Sequence, residues 1–153
     1  MDRRSKAMDD LDWRILEELQ QNARISASEI GRRVGLTAPA VAERISRMEE
    51  EGLIQGYRTV IDYDKIGLTV RVFINFKSTA LKHAEVVKLI STMPEITEWY
   101  TVTGDCCMLL KVAVATTKEL ELFLEKLGKY GETATSIILS GNPEPRVVVR
   151  SKK

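Results

Sequence analysis

The stretch from Ser26 to Gly52 constrains this chain most, because it holds two helix starts and two helix stops within a few turns' length. Ser26-Ala27-Ser28-Glu29 reads as a capping box, with the Ser26 hydroxyl accepting from the Glu29 amide and the Glu29 side chain reaching back. The helix it opens carries Ile30 and Val34 at i, i+4 and stops at Gly35, a residue suited to a left-handed turn. Only Gly35-Leu36 separates it from Thr37, an N-cap type, and Pro39 falls in the next first turn, where a missing N–H does no harm. The helix that follows ends at Gly52 and buries Val41, Ile45 and Met48.

A helix over Asp10–Gln21 precedes this pair, with Leu11, Ile15 and Leu19 on one stripe and Asp9, Asp10 and Asp12 at its positive end. Two short helices joined by a tight Gly-containing turn and braced by a third make a helix-turn-helix. A helix entering the major groove needs small residues near its start and longer donors one or two turns on. Ala38, Pro39 and Ala40 meet the first need, and Arg44 and Arg47 the second. The plainer alternative is a three-helix bundle with solvated arginines.

Charge first argues against nucleic acid. The 153 residues hold 23 Lys+Arg against 22 Asp+Glu, for a net charge of +1, whereas nucleic-acid-binding domains are often strongly basic. Yet between Arg24 and Arg47 there are five arginines (24, 32, 33, 44 and 47) against two acids, Glu29 and Glu43. The other acids of the first sixty residues cluster at Asp2–Asp12, Glu17-Glu18 and Glu49–Glu51. The neutral total conceals a basic face.

Other functions lose ground on composition. Cys106 and Cys107 are adjacent, which disfavours a structural disulfide and fits a reducing compartment; they read as two small, semi-buried residues at a strand start. A single His83 and no spaced Cys/His cluster predict no metal site. Asp62 and Asp64 read as turn chemistry rather than a catalytic carboxylate pair. No phosphate loop or nucleophile elbow occurs, so no catalytic residue, no cofactor and no enzymatic activity is expected. No apolar run reaches membrane-spanning length, and MDRRSKAMDD lacks a secretory apolar stretch, so a cytoplasmic protein is expected.

Beyond Leu53 the periodicity changes. Ile54–Ile61 reads as a short hinge strand, followed by a polar turn ending near Gly67. Val70, Val72, Ile74 and Phe76 alternate with Arg71, Phe73, Asn75 and Lys77 as a strand. Helical spacing over 81–93, strands at 96–102 and 108–115, a helix through Leu120–Leu127 and a strand at 133–139 complete a ferredoxin-like βαββαβ order. The tail through Val147-Val148-Val149 reads as an arm or an edge strand. The predicted fold is α+β: residues 1–53 a helix-turn-helix domain, 54–67 hinge strand and linker, 68–153 a ferredoxin-like domain. Two helices would cover one sheet face, leaving Phe73, Trp99 and Leu110 on the other, which a second copy would bury sheet to sheet.

Several of these segments resemble one family. Leu11-Asp12-Trp13-Arg14-Ile15-Leu16-Glu17-Glu18-Leu19-Gln20 with Arg24-Ile25-Ser26, Val34-Gly35-Leu36-Thr37 and Met48-Glu49-Glu50-Glu51-Gly52-Leu53-Ile54-Gln55-Gly56-Tyr57 are similar in order and spacing to Lrp/AsnC (feast/famine) transcriptional regulators. The resemblance covers nearly the whole chain. It implies a winged-type helix-turn-helix and a RAM/ACT-like ferredoxin-fold domain for effector binding and oligomerisation. It further implies double-stranded DNA as partner, an amino acid as effector, and dimers that associate to tetramers or octamers. The DNA contacts it implies are Thr37, Ala38, Pro39, Ala40, Arg44 and Arg47, with Arg32 and Arg33 on phosphates. The effector site it implies is Thr101, Thr103, Gly104, Asp105, Cys106 and Cys107. Here Cys106, Cys107 and Met108 stand where the family carries an aromatic, an Asp and an aromatic, so an effector ammonium would have to use Asp105 and backbone carbonyls.

The expectation is therefore a sequence-selective, amino-acid-responsive DNA-binding regulator. An effector-independent architectural DNA-binding protein is the first alternative, and a small-molecule-binding or interaction module without DNA the second.

Overall fold

The computed structural model describes residues 8–78, 83–104, 107–141 and 146–150. The chain divides into two compact units, one of residues 1–60 with 143–153 and one of residues 61–142.

The first unit holds α1 (Asp10–Gln21), α2 (Ala27–Val34) and α3 (Ala38–Glu50). The reciprocal capping box forms at α1. The Asp12 amide donates to Asp9 Oδ1 at 2.9 Å, and the Asp9 amide donates to Asp12 Oδ2 at 3.1 Å. At α2 only half of the expected box exists: the Glu29 amide reaches Ser26 Oγ at 3.1 Å, but the Glu29 carboxylate turns to Arg32 and Arg33 instead. Thr37 occupies the N-cap position of α3 without a side-chain cap bond. Gly35 adopts φ +81, as the left-handed stop requires. Ile15, Leu19, Ile30, Val34, Val41 and Met48 form the core, with Leu11, Ile45 and Ile54 packed against it.

The expected hinge strand does not form: no strand occurs among the described residues between α3 and Val70. Residues 55–61 are exposed and have no ladder partner, and an unpaired strand cannot satisfy its own backbone. No β-wing accordingly occurs among the described residues of the helix-turn-helix unit. The tail is an arm and not an edge strand. Residues 146–150 belong to the helical unit, where the Gln20 amide group donates to the Val148 carbonyl at 3.0 Å and accepts from the Val148 N–H at 2.8 Å.

The second unit runs β1 (Val70–Lys77), α4 (His83–Ile90), β2 (Ile96–Thr101), β3 (Met108–Val114), α5 (Thr117–Gly128) and β4 (Glu132–Ile137). The antiparallel sheet has the order β2-β3-β1-β4, as a split βαβ arrangement requires. Val72, Ile74, Phe76, Met108, Leu110 and Val112 pack beneath Val86, Ile90, Leu120, Phe123 and Leu127. Directly opposed residues share a face, which corrects the expected composition of the open one. Leu110 pairs with Ile74 and with Trp99, and both Leu110 and Ile74 are fully buried. The open face carries Phe73, Leu109, Tyr100 and the Lys111–Glu98 ion pair. Leu109 and Leu110 are adjacent apolar residues, so alternation alone leaves the phase of this strand undetermined.

Candidate DNA-binding surface

The helix-turn-helix turn closes through one carbonyl: the amides of Gly35 and Leu36 both donate to Gly31 O at 2.9 Å. Gly31 is buried, and a Cβ there would lie 2.4 Å from Leu36 O. Its requirement for glycine was invisible to helical spacing, because the contact comes from the residue beyond the turn.

The solvent face of α3 comprises Pro39, Ala42, Glu43, Ser46, Glu49 and Glu50, with Thr37 exposed ahead of it and Ala38 and Ala40 half-buried. The first turn contains no acid. A short, uncharged start on an exposed helix allows close approach of the backbone to a groove edge.

Arg44 and Arg47 are not free donors on this face. Arg44 Nη1 donates to Asp9 Oδ2 and to Asp12 Oδ1, each at 2.7 Å, and Arg47 Nη2 donates to Asp12 Oδ2 at 2.7 Å. Asp12 is 1% exposed, while the two arginine side chains retain 22% and 29% exposure. The hydrogen bonds to Asp9 and then Asp12 raise the Arg44 pKa further above its ordinary value. The hydrogen bond from Arg44 is the main cause that lowers the Asp9 carboxyl to about 2. These side chains bind α3 to the start of α1.

Arg33 likewise spans helices, donating to Glu18 at 2.6 Å and to Glu29 at 3.0 Å, while Arg14 donates to its carbonyl at 2.8 Å. Arg32 pairs with Glu29 and is 74% exposed. Of the expected residues, Arg32, Thr37 and Pro39 are exposed, whereas Arg33, Arg44 and Arg47 spend donors on the bundle itself. Sequence reasoning missed Asp12 as their acceptor; the signal was its place on the flank of the Leu11–Ile15 stripe. It also missed Tyr57, whose hydroxyl donates to Glu49 at 2.8 Å and ties the segment after α3 to that helix. Partial desolvation of the hydroxyl against the protein first, then this bond, pushes the Tyr57 pKa up to about 12, although the residue as a whole remains exposed.

In the second unit, Thr101, Thr103 and Gly104 are exposed at the turn after β2, with Gly104 at φ +117. Asp105 and Cys106 lie outside the described residues. Cys107 is half-buried, and its sulfur accepts from the Ser78 amide at 3.0 Å and lies 3.5 Å from the carbonyls of Phe76 and Ser78. It is engaged with the end of β1. The Asp62 carboxylate accepts from the amides of Asp64 and Lys65, as turn chemistry predicts. Among the described residues no group of three His, Cys, Asp or Glu side chains could hold a metal, and no helix is long and apolar enough to cross a membrane. The His83 side chain is outside the described set.

Two family models match the two units. An AsnC-type helix-turn-helix domain matches residues 8–49, and an Lrp/AsnC ligand binding domain matches residues 69–147. The chain is 41% identical over 124 residues to the HTH-type transcriptional regulator LrpB of Bacillus subtilis, covering 81% of this chain and 83% of that one. It is 34% identical over 140 residues to the HTH-type transcriptional regulator FL11 of Pyrococcus furiosus, covering 90% and 93%. The solved structure of B. subtilis LrpC superposes with a TM-score of 0.86 at 30% identity, covering 92% of this chain and 100% of that one.

Proposed function

Because the chain belongs to the Lrp/AsnC family of transcriptional regulators, we propose that it reads specific double-stranded DNA sites as a dimer or higher oligomer and that an amino acid modulates that activity. The observation that carries the DNA reading is the exposed, acid-free start of α3, fixed against α1 by Asp12, Arg44 and Arg47. A recognition helix must be held rigidly for its side chains to register with base edges.

Assembly is supported by the uncovered sheet face. Phe73 and Tyr100 stand 39% and 53% exposed there beside Leu109, and a second copy with the same face would bury them. Two-fold pairing also sets two helices for half-sites about one helical turn apart. The effector reading rests on the ligand-binding-domain match at 69–147 and on the exposed turn at Thr101–Gly104. No catalytic step, metal or cofactor is required by this function, which is expected to be carried out in the cytoplasm.

Duplex binding measured across salt concentration tests the first part: log affinity should fall linearly with log salt as counterions are released. Preference for a selected over a random duplex completes it. Light scattering with and without each amino acid tests the second, with a change of assembly for at least one. A second reading, an architectural DNA-binding protein without effector response, is favoured by one observation: the Cys107 sulfur is turned to the backbone of β1. Equal affinity for random and selected DNA, with no response to any amino acid, would establish that reading instead.

A further inference from the structure

The exposed stripe of α3 recurs at i, i+3, i+4, i+7 and i+11, as Pro39, Ala42, Glu43, Ser46 and Glu50. Pro39 and Ala42 carry no side-chain donor or acceptor with which to hydrogen-bond a base. Ser46 Oγ donates to Glu50 at 3.2 Å. Glu43 is therefore the first side chain along this stripe long enough to enter a groove and polar enough to read one.

Its environment is unusual for an acid on a helix rich in arginine. At i+4 stands Arg47, the ordinary partner of a glutamate in this orientation. That guanidinium instead donates to Asp12, and the neighbouring Arg44 to Asp9 and Asp12. Among the described residues Glu43 makes no ion pair and no hydrogen bond. Asp9 at the N-cap of α1 and Asp12 in its first turn thus take the arginines and leave the Glu43 carboxylate unpaired on the exposed face of α3.

A carboxylate offers only acceptors. Phosphates repel it, so it gains nothing from the sequence-independent part of binding. What it can accept from in a major groove is an exocyclic amino group, and the match for a lone acceptor is cytosine N4; adenine presents its amino group beside an acceptor and suits an amide better. We propose that Glu43 is a specificity-determining residue that accepts from a cytosine amino group in each half-site. This rests on the DNA-binding reading above. Discrimination then comes from both directions: a hydrogen bond on the right base, and repulsion from the acceptor oxygens and nitrogens that guanine or thymine would present in its place.

The test is selection from a pool of randomised duplexes with the full-length protein, Glu43→Gln and Glu43→Ala. Glu43 is exposed, so both variants should keep the wild-type thermal midpoint. The wild type should enrich cytosine at one position per half-site. Replacing that cytosine by 2-pyrimidinone, which lacks the amino group, should weaken binding about 5- to 150-fold, the range for one good base contact. Glu43→Gln should move the preference toward adenine. Glu43→Ala should level that position and bind random duplex more tightly than the wild type does. One motif enriched equally by all three proteins would overturn the assignment while leaving sequence-selective binding intact. A wild type that enriches no motif would overturn both.

Discussion

Arg47 Nη2 donates at 2.7 Å to Asp12 Oδ2, and the accepting carboxylate is 1% exposed. The same carboxylate takes Arg44 on its other oxygen, also at 2.7 Å. A recognition helix whose arginines point back into the bundle gives up two groove donors and gains a fixed orientation. The guanidinium–carboxylate bonds add directional constraints between the start of α1 and α3 to the non-directional packing of the shared apolar core that includes Ile15, Val41 and Met48.

Asp12→Ala should therefore destabilise the helical unit. Removing this carboxylate leaves Arg47 without its acceptor and Arg44 with Asp9 alone, at a cost of about 3 kcal/mol, the low end for buried pairs because both guanidiniums keep contact with water. Denaturant unfolding followed by helical signal would register this as a lowered midpoint. A midpoint equal to that of the wild type would mean that the pair contributes no net stability.

Arg44→Ala separates bracing from base reading. If Arg44 braces, the variant should unfold at lower denaturant yet enrich the same DNA motif as the wild type, with weaker binding at every sequence. A residue contacting a base would instead relax preference at one position, by about 1–3 kcal/mol. Parallel selection and unfolding on this one variant decides between them.

The acid side of stability follows from Asp9. Its pKa falls from 3.8 to about 2, chiefly through the hydrogen bond from Arg44. A carboxyl depressed on folding adds stability that is fully present above its unfolded pKa and is lost as pH falls through its folded one. Between about pH 4 and pH 2 the wild type should thus lose thermal stability more steeply than Asp9→Asn. Melting curves from about pH 2 to neutrality should show the steeper slope inside that window and equal slopes above it; parallel slopes throughout would remove Asp9 from the balance.

How much of this was legible follows from what each signal measures. Helix starts, stops and apolar stripes are local, and α1, α2, α3 and the order of the second unit came through because Leu11, Ile30, Val41 and Val72 each sit in a self-consistent period. The destination of a long polar side chain is not local. The sequence puts Arg44 and Arg47 on the right helix but does not show their bonds to Asp12, because that acceptor lies 32 and 35 residues away in sequence. The phase of β3 failed for a related reason: Leu109 and Leu110 are both apolar, and only pairing with Ile74 decides which faces the helices. The expected strand after Leu53 was a pattern without a partner.

Gly31→Ala tests the turn itself. The added Cβ would sit 2.4 Å from the Leu36 carbonyl oxygen, a backbone atom that can move only if the turn opens. Forcing one methyl into such a site costs about 1–3 kcal/mol, and the reorientation of α3 should weaken DNA binding beyond the loss of folded protein. Binding corrected for the folded fraction is the deciding measurement. Recovery to the wild-type value would show that the turn tolerates the shift.

The tail offers a last check on the helical unit. Gln20 holds Val148 at two points, donating to its carbonyl at 3.0 Å and accepting from its amide at 2.8 Å. Arg150 adds an ion pair with Asp10 at the other end of α1. Val148 is 64% exposed as a residue and its amide donates to Gln20, so slowing of its hydrogen exchange is expected to come from that bond. Gln20→Ala should accelerate that exchange several-fold, the ratio corresponding to about 1 kcal/mol of net hydrogen-bond energy. Gln20→Glu keeps an acceptor for the amide but sets an oxygen against the Val148 carbonyl, so it should also loosen the tail, while neighbouring amides of α1 stay unchanged. Exchange at Val148 that ignores both substitutions would show that something other than this side chain holds the arm.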